Sequence, residues 1–221
     1  MTKTRSYKLL CPIARALDRI GDRWTLLILR DLHAGPARFS DLQAGLTGSA
    51  ANLLTDRLVK LVADGLARKS ETAQGSWVYE LTDLGKRTSD IIFELAVFGA
   101  HFRPEGAVVP PGNLRTVVTT LGAAANRVAT PEMNFDASVV VDGELMHLTV
   151  RGGEAKMLYE ESPQPDLVFS TGYADLLSLS EGELDPETFA LAHSSLEVLS
   201  PGKDTEFLSL MSRITALLRE T

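Results

Sequence analysis

The stretch Arg103-Pro-Glu-Gly-Ala-Val-Val-Pro-Pro-Gly-Asn113 places three prolines and two glycines within eleven residues. Proline lacks a backbone N–H and its ring clashes with the preceding helical turn, so Pro110-Pro111-Gly112 cannot continue a helix. The spacing predicts a linker over 104–112 between two domains, 1–103 and 113–221. Charge follows the same division. Residues 1–105 hold 15 Lys and Arg against 12 Asp and Glu, whereas residues 106–221 hold 7 against 17. The net charge of −7 therefore conceals a mildly basic first half and a strongly acidic second half, a pattern of two jobs rather than one. Affinity for DNA depends on local neutralisation of phosphates, not on total charge, so the first half remains compatible with a nucleic-acid partner.

Other features narrow the class. An apolar share of 44% supports a packed core. No apolar run approaches the length of a membrane span, and the N-terminus lacks the apolar segment of a secretory signal. A single cysteine, Cys11, leaves no intramolecular disulfide and fits a reducing cytoplasm.

The first half is mostly helical in pattern. Residues 12–17 begin a helix with Pro12 in its first turn, and 18–22 break or bend it. Residues 24–32 form a second helix with Trp24, Leu27, Ile28 and Leu32 on one face. Residues 39–46 form a short third helix with Phe39, Leu42 and Leu46 inward. After the turn 47–49, Ser49 is placed to cap a fourth helix through Ala63, with Leu54, Leu58, Leu61 and Val62 as its buried stripe. Residues 66–71 and 78–82 then read as two strands joined by a polar tip over 72–77. Thr82 caps a last helix over 83–101. Short helix, tight turn, longer helix and hairpin is the order of a winged helix-turn-helix, whose second helix fits the major groove of double-stranded DNA. The candidate DNA contacts are Ser49, Asn52, Thr55, Asp56, Arg57 and Lys60 on that helix, and Arg68, Lys69, Gln74 and Ser76 on the hairpin. Asn can bond adenine in a bidentate way and Arg guanine, while a helix N-terminus can meet a phosphate. The competing reading is a solvated polar face, or a helix-turn-helix that binds protein rather than DNA.

Cys11-Pro-Ile-Ala-Arg-Ala-Leu-Asp-Arg-Ile-Gly-Asp-Arg-Trp-Thr-Leu-Leu-Ile-Leu-Arg-Asp-Leu32 resembles the opening of HxlR-type regulators, as does Gly35-Pro-Ala-Arg-Phe-Ser-Asp-Leu42. Leu53-Leu-Thr-Asp-Arg-Leu58, Asp64-Gly65-Leu66 and Tyr79-Glu-Leu-Thr-Asp-Leu-Gly85 follow in the same order, so the resemblance covers about 10–102. It implies a homodimeric bacterial transcription factor whose first and last helices pair two subunits. Cys11, Ala14 and Leu17, with Ile91, Leu95, Phe98 and Phe102, would form that interface. The alternative is that these residues pack within one subunit. In some members the cysteine matching Cys11 senses oxidants, although an inert side chain at a contact is the simpler reading here. Most members stop near the last helix, whereas this chain continues for over a hundred residues.

The second half reads as α+β. A helix over 113–129 precedes strands at 134–141, 144–150, 154–160 and 166–171, with Asp142-Gly143 and Gly152-Gly153 as turns. Helices follow at 173–179, from Asp185 onward, and at 207–218. Pro165-Asp-Leu-Val-Phe-Ser-Thr171, Tyr173-Ala-Asp-Leu-Leu177 and Gly182-Glu-Leu-Asp-Pro186 resemble the sterol-carrier-protein-like domain over about 112–220. That resemblance implies a small, mainly antiparallel sheet covered by helices, and a pocket for an apolar small-molecule effector. Leu121, Met146, Met157, Leu176, Phe189, Leu210 and Met211 are candidate lining residues, with ordinary core as the alternative. His33, His101, His147 and His193 form no recognisable catalytic or metal-binding pattern, so no catalytic residue, metal or cofactor is expected. The expected function is a DNA-binding regulator acting as a repressor; the alternatives are a protein-interaction adaptor and a carrier of lipid or another apolar ligand.

Overall fold

The computed structural model describes residues 6–102 and 111–220, so most of the linker expected at 104–112 lies outside the described residues. The chain forms two compact units, one of residues 6–92 with 111–113 and one of 93–102 with 114–220.

The first unit contains α1 (Pro12–Ile20), α2 (Arg23–His33), α3 (Phe39–Gly45), α4 (Ala51–Ala63), β1 (Ala67–Glu71), β2 (Trp77–Leu81), α5 (Asp83–Lys86) and the start of α6 (Ser89–Ala100). Its core is Ile28, Leu29, Leu32, Leu42, Leu46, Leu54, Leu58 and Leu61, closed by Leu66, Leu81 and Ile92. Leu29 joins the expected face of α2, while Trp24 and Leu27 are only half-buried. Val62, expected inward, lies on the exposed side of α4 because Leu54, Leu58 and Leu61 already fill the stripe. The hairpin is antiparallel, with Lys69 opposite Tyr79. Ala37 adds a further bridge to Tyr79, exchanging both backbone hydrogen bonds (3.0 and 2.8 Å).

Two boundaries differ from expectation. The first helix runs on to Ile20, and Gly21 N–H closes it onto Leu17 O. The segment 83–101 is two helices, since Arg87 and Thr88 N–H turn back to Leu84 and Gly85 carbonyls. Gly85 has no room for a side chain: a Cβ there would stand 1.9 Å from Leu66 O, so the chain passes too tightly for one regular helix. Thr82 does cap as expected, accepting from Gly85 N–H (3.1 Å).

One carboxylate ties two helices together, and a nearby lysine adds a third. Asp22 caps α2, accepting from Trp24 and Thr25 N–H at 3.0 and 3.3 Å. Both its oxygens also accept the fork of Arg57 on α4, Nε at 3.0 Å and a terminal nitrogen at 2.9 Å. One turn further along α4, Lys60 Nζ donates to the Asp18 and Arg19 carbonyls at the end of α1, both at 2.9 Å. A cation there complements the negative end of the α1 dipole.

The second unit holds the remainder of α6, α7 (Arg115–Val128), β3 (Asn134–Val141), β4 (Glu144–Arg151), β5 (Glu154–Leu158), β6 (Leu167–Thr171), α8 (Tyr173–Ser180), α9 (Pro186–Ala192), β7 (Ser194–Val198) and α10 (Lys203–Glu220). The sheet order is β5-β4-β3-β6-β7, with β3 parallel to β6 and the other neighbours antiparallel. Asp142 (φ 48) and Gly143 (φ 84) form the expected β3–β4 turn. Phe135, Ala137, Val139, Val141, Met146, Leu148 and Val150 alternate onto the buried face. The helix α7 lies close on β5: a Cβ at Gly122 would stand 2.9 Å from Met157 Cβ. Sequence reasoning missed β7. Ser-Ser-Leu-Glu-Val is a polar edge strand, mostly exposed and paired only to β6, so it lacks an apolar run.

Two predictions follow from the first unit. Asp22→Ala removes a cap worth about 1 kcal/mol and a part-exposed ion pair worth about 0.5–1 kcal/mol. Urea unfolding should show Asp22→Asn, which keeps the cap, losing less than Asp22→Ala; equal losses would contradict the dual role. His33 Nε2 stands 2.9 Å from Thr88 Oγ1, whose hydroxyl donates to Gly85 O at 2.7 Å, so the ring supplies the N–H. Burial pushes His33 down to about 4. The unfolded chain takes up this proton near pH 6.5 and the folded chain only near 4, so stability is full above about 6.5 and falls between the two. The loss is at most about 1.4 kcal/mol per pH unit. His33→Gln should flatten that part of the urea-midpoint profile; an unchanged slope would assign the titration elsewhere.

Candidate DNA-binding interface

The turn between α3 and α4 is set by Gly48 (φ +86) and by Ser49 N–H donating back to Leu46 O at 2.9 Å. Gln43 Nε2 donates to Ser49 O at 2.8 Å and lies 3.4 Å from Ser49 Oγ. Ser49 is therefore held in the turn and does not cap α4 as expected. The cap position is Ala50, whose side chain has no acceptor. The first N–H groups of α4 lack a side-chain cap from that position, the condition in which a helix N-terminus can receive an anion.

The exposed face of α4 carries Ala51, Asn52, Thr55, Asp56 and Val59. Thr55 Oγ1 donates to Ala51 O (2.9 Å), and Asn52 Oδ1 accepts from Leu53 N–H (2.9 Å). Arg57 and Lys60, both expected at the DNA, instead bind Asp22 and the end of α1. Their sequence spacing placed them on a polar face. Their reach across to α1 and α2 is a tertiary fact that periodicity does not carry.

On the hairpin, Thr72 N–H bonds Ser76 O (2.8 Å), and Gly75 (φ +77) closes the tip. Gln74 is exposed there, and Ser76 N–H donates to Thr72 Oγ1 (3.2 Å). Lys69 Nζ lies over the Trp77 ring (5.1 Å to its centroid) and the Tyr79 ring (5.8 Å), so its charge is restrained on one face of the hairpin. Trp77, expected in the tip, is the first residue of β2 and half-exposed. Arg68 donates to Glu80 (3.0 Å), as does Ser70 (2.7 Å). These hydrogen bonds, the one from Arg68 foremost, hold the Glu80 carboxyl below its usual range. Arg38, at the start of α3, is an exposed cation that sequence reasoning did not single out.

The residues expected to pair subunits divide. Leu17, Ile91, Leu95, Phe98 and Phe102 are exposed, the two phenylalanines at 62% each with their rings 5.1 Å apart. Ala14, by contrast, is buried. Cys11 is a free thiol, half-buried at the N-cap of α1.

In the second unit a cavity of about 460 Å³ lies between β6, β7, α9 and α10. Of the expected lining residues only Phe189 and Met211 border it. Met146 and Leu210 are fully buried and Met157 nearly so, as core under the sheet, and Leu121 and Leu176 lie elsewhere. The walls that sequence reasoning missed include Phe169, Leu196, Phe207 and Leu208. His147 Nε2 meets Asp136 Oδ1 (2.9 Å) and His193 Nδ1 meets Asp175 Oδ1 (2.8 Å). Among the described residues, no cluster of three or more His, Cys, Asp or Glu is arranged to hold a metal ion, and no helix is long and apolar enough to cross a membrane.

A model of the HxlR-like helix-turn-helix family matches residues 19–107, from the end of α1 past α6. An uncharacterized HTH-type transcriptional regulator of Mycobacterium tuberculosis is 37% identical over 107 residues, 47% of this chain and 65% of that protein. The chain thus spans just under two thirds of that relative's length. YtfH of Escherichia coli is 33% identical over 39% of this chain and 70% of its own length. YvaP of Bacillus subtilis is 31% identical over 42% of this chain and 89% of its own length. With a family model matching residues 19–107 and 89% of YvaP covered at 31% identity, this chain belongs to the HxlR-like helix-turn-helix family.

Proposed function

We propose that this protein is a transcriptional repressor that binds a two-fold operator as a homodimer. The observation that carries the reading is the exposed face of α4, where Asn52, Thr55 and Asp56 follow a helix start without a side-chain cap. In this reading α4 enters the major groove, with Asn52 on an adenine edge and Ser49 beside a phosphate. Lys69, with Arg68, Gln74 and Ser76, tracks the flanking backbone. The exposed apolar residues of α1 and α6, from Leu17 to Ile91, Leu95, Phe98 and Phe102, pair the subunits and space two α4 helices by about 34 Å. Residues 1–103 form the DNA-binding and dimerisation domain and 104–112 the linker. Residues 113–221 form a sterol-carrier-protein-like domain whose 460 Å³ cavity, rimmed by Phe169, Phe189 and Met211, takes an apolar effector.

A protein-interaction adaptor is the second reading. It is favoured by one observation: the exposed face of α4 carries Asp56 and no cation outside an intramolecular contact.

Fluorescence anisotropy with DNA from upstream of the protein's own gene, against scrambled DNA over a range of salt, separates the two. The repressor binds selectively and weakens steeply with salt, whereas an adaptor shows no such slope. Asn52→Ala should lose about tenfold or more and relax one base position. Lys69→Ala should weaken all sequences alike and lower the salt slope by about 0.9. Loss of preference at one base in Lys69→Ala, with none in Asn52→Ala, would invert the assigned roles.

A further inference from the structure

The helix α3 has only seven residues, and the turn before α4 follows directly from it. A helix so short has little stability of its own, so its direction is set by what it packs against. Leu42 and Leu46 hold one side of it in the core. Its C-terminal end is met by Gly112 and Asn113, which belong to the first unit although Asn113 lies 72 residues beyond Asp41 in the sequence.

Three observations define this contact. Asn113 Nδ2 donates to Asp41 O at 2.8 Å. A Cβ on Gly112 would stand 2.0 Å from Ala44 O and 3.6 Å from Thr47 Oγ1, so the backbone here lies against the last turn of α3 and reaches the turn that follows. A Cβ on Gly45 would stand 2.7 Å from Asp31 Oδ2 and 2.9 Å from Asn113 Nδ2. Gly45 therefore leaves the space in which the fully buried carboxylate of α2 and the amide of Asn113 converge. The start of α4 depends on this end of α3. Leu46 O accepts Ser49 N–H, and Gln43 Nε2 donates to Ser49 O, so the turn takes its geometry from α3. The match to the family model ends at residue 107, so Gly112 and Asn113 lie outside the part of the chain that the family accounts for.

We propose that Asn113 is a positioning residue for DNA binding: the strap Gly112–Asn113 fixes the end of α3 and, through Gln43 and Ser49, the start of α4. The chain beyond the family's module thereby takes part in reading DNA without touching it. The proposal rests on the reading that α4 enters the major groove, but the hold of the strap on the turn is measurable without DNA.

Hydrogen exchange of the full chain, without DNA, tests that hold. In Asn113→Ala, exchange at residues 45–50 should speed up about tenfold more than at 28–32 in the core of α2, because a local tie and not the whole unit is lost. Affinity for an operator selected with the unaltered protein should fall about tenfold, with the order of base preference preserved. Gly45→Ala, whose Cβ would displace Asn113, is a second route to the same contact and should reproduce both effects. The double variant should lose less than the sum of the two single losses, since both remove one interaction. Equal speeding at 45–50 and 28–32, unchanged exchange in Asn113→Ala, additive losses in the double variant, or full operator affinity despite faster exchange at 45–50 would each overturn the proposal. No operator binding by the unaltered protein would remove the reading of α4 and the proposal with it, and the exchange difference would then mark the strap as a tie of the fold alone.

Discussion

The Asp22 carboxylate meets two demands that would otherwise compete. The N-terminus of α2 needs an acceptor for its free N–H groups, and Arg57 on α4 needs an anion. Placing both on one residue fixes the angle between α2 and α4 where the two helices approach. Three residues on, Lys60 closes the end of α1. The Leu54, Leu58 and Leu61 stripe supplies most of the burial, but an apolar stripe tolerates sliding and rotation in a way that a two-point guanidinium fork does not. The polar outer face of α4 therefore inherits its direction from contacts made on the helix flanks.

That arrangement explains which features could be read from the chain and which could not. Helical spacing of leucines marks α2, α3 and α4, and Pro12, Gly65 and Thr82 mark boundaries, because these signals are local. The hairpin is visible through its alternation and glycine tip. The roles of Arg57 and Lys60 were not visible, since a cation on a helix looks the same whether it faces solvent, phosphate or the end of another helix. Ser49 shows the same limit: a good capping residue is held in the turn by Gln43, a contact set by the fold rather than by the neighbouring sequence. Val62 was placed on the wrong side because periodicity gives a face but not its width.

In the second unit the strand pattern, the Asp142-Gly143 turn and most helices were legible, yet the cavity was not. Its walls are built by β6, β7, α9 and α10, which are distant along the chain, and one of them is a polar edge strand with little sequence signature. The methionines that drew attention as adaptable lining belong mostly to the sheet core, where Met146 and Met157 pack under the strands. The acidic character of this half suits a module kept away from phosphate, with the apolar space enclosed by its helices.

The central claim is that Arg57 orients α4 rather than reading a base. The direct measurement is the affinity of Arg57→Ala for a panel of single-base variants of an operator selected with the unaltered protein. The account predicts a uniform loss across the panel, with the order of preference preserved at every position. Loss of discrimination at one G·C pair, with the other positions unchanged, would mean that Arg57 leaves Asp22 to contact guanine, and would contradict it.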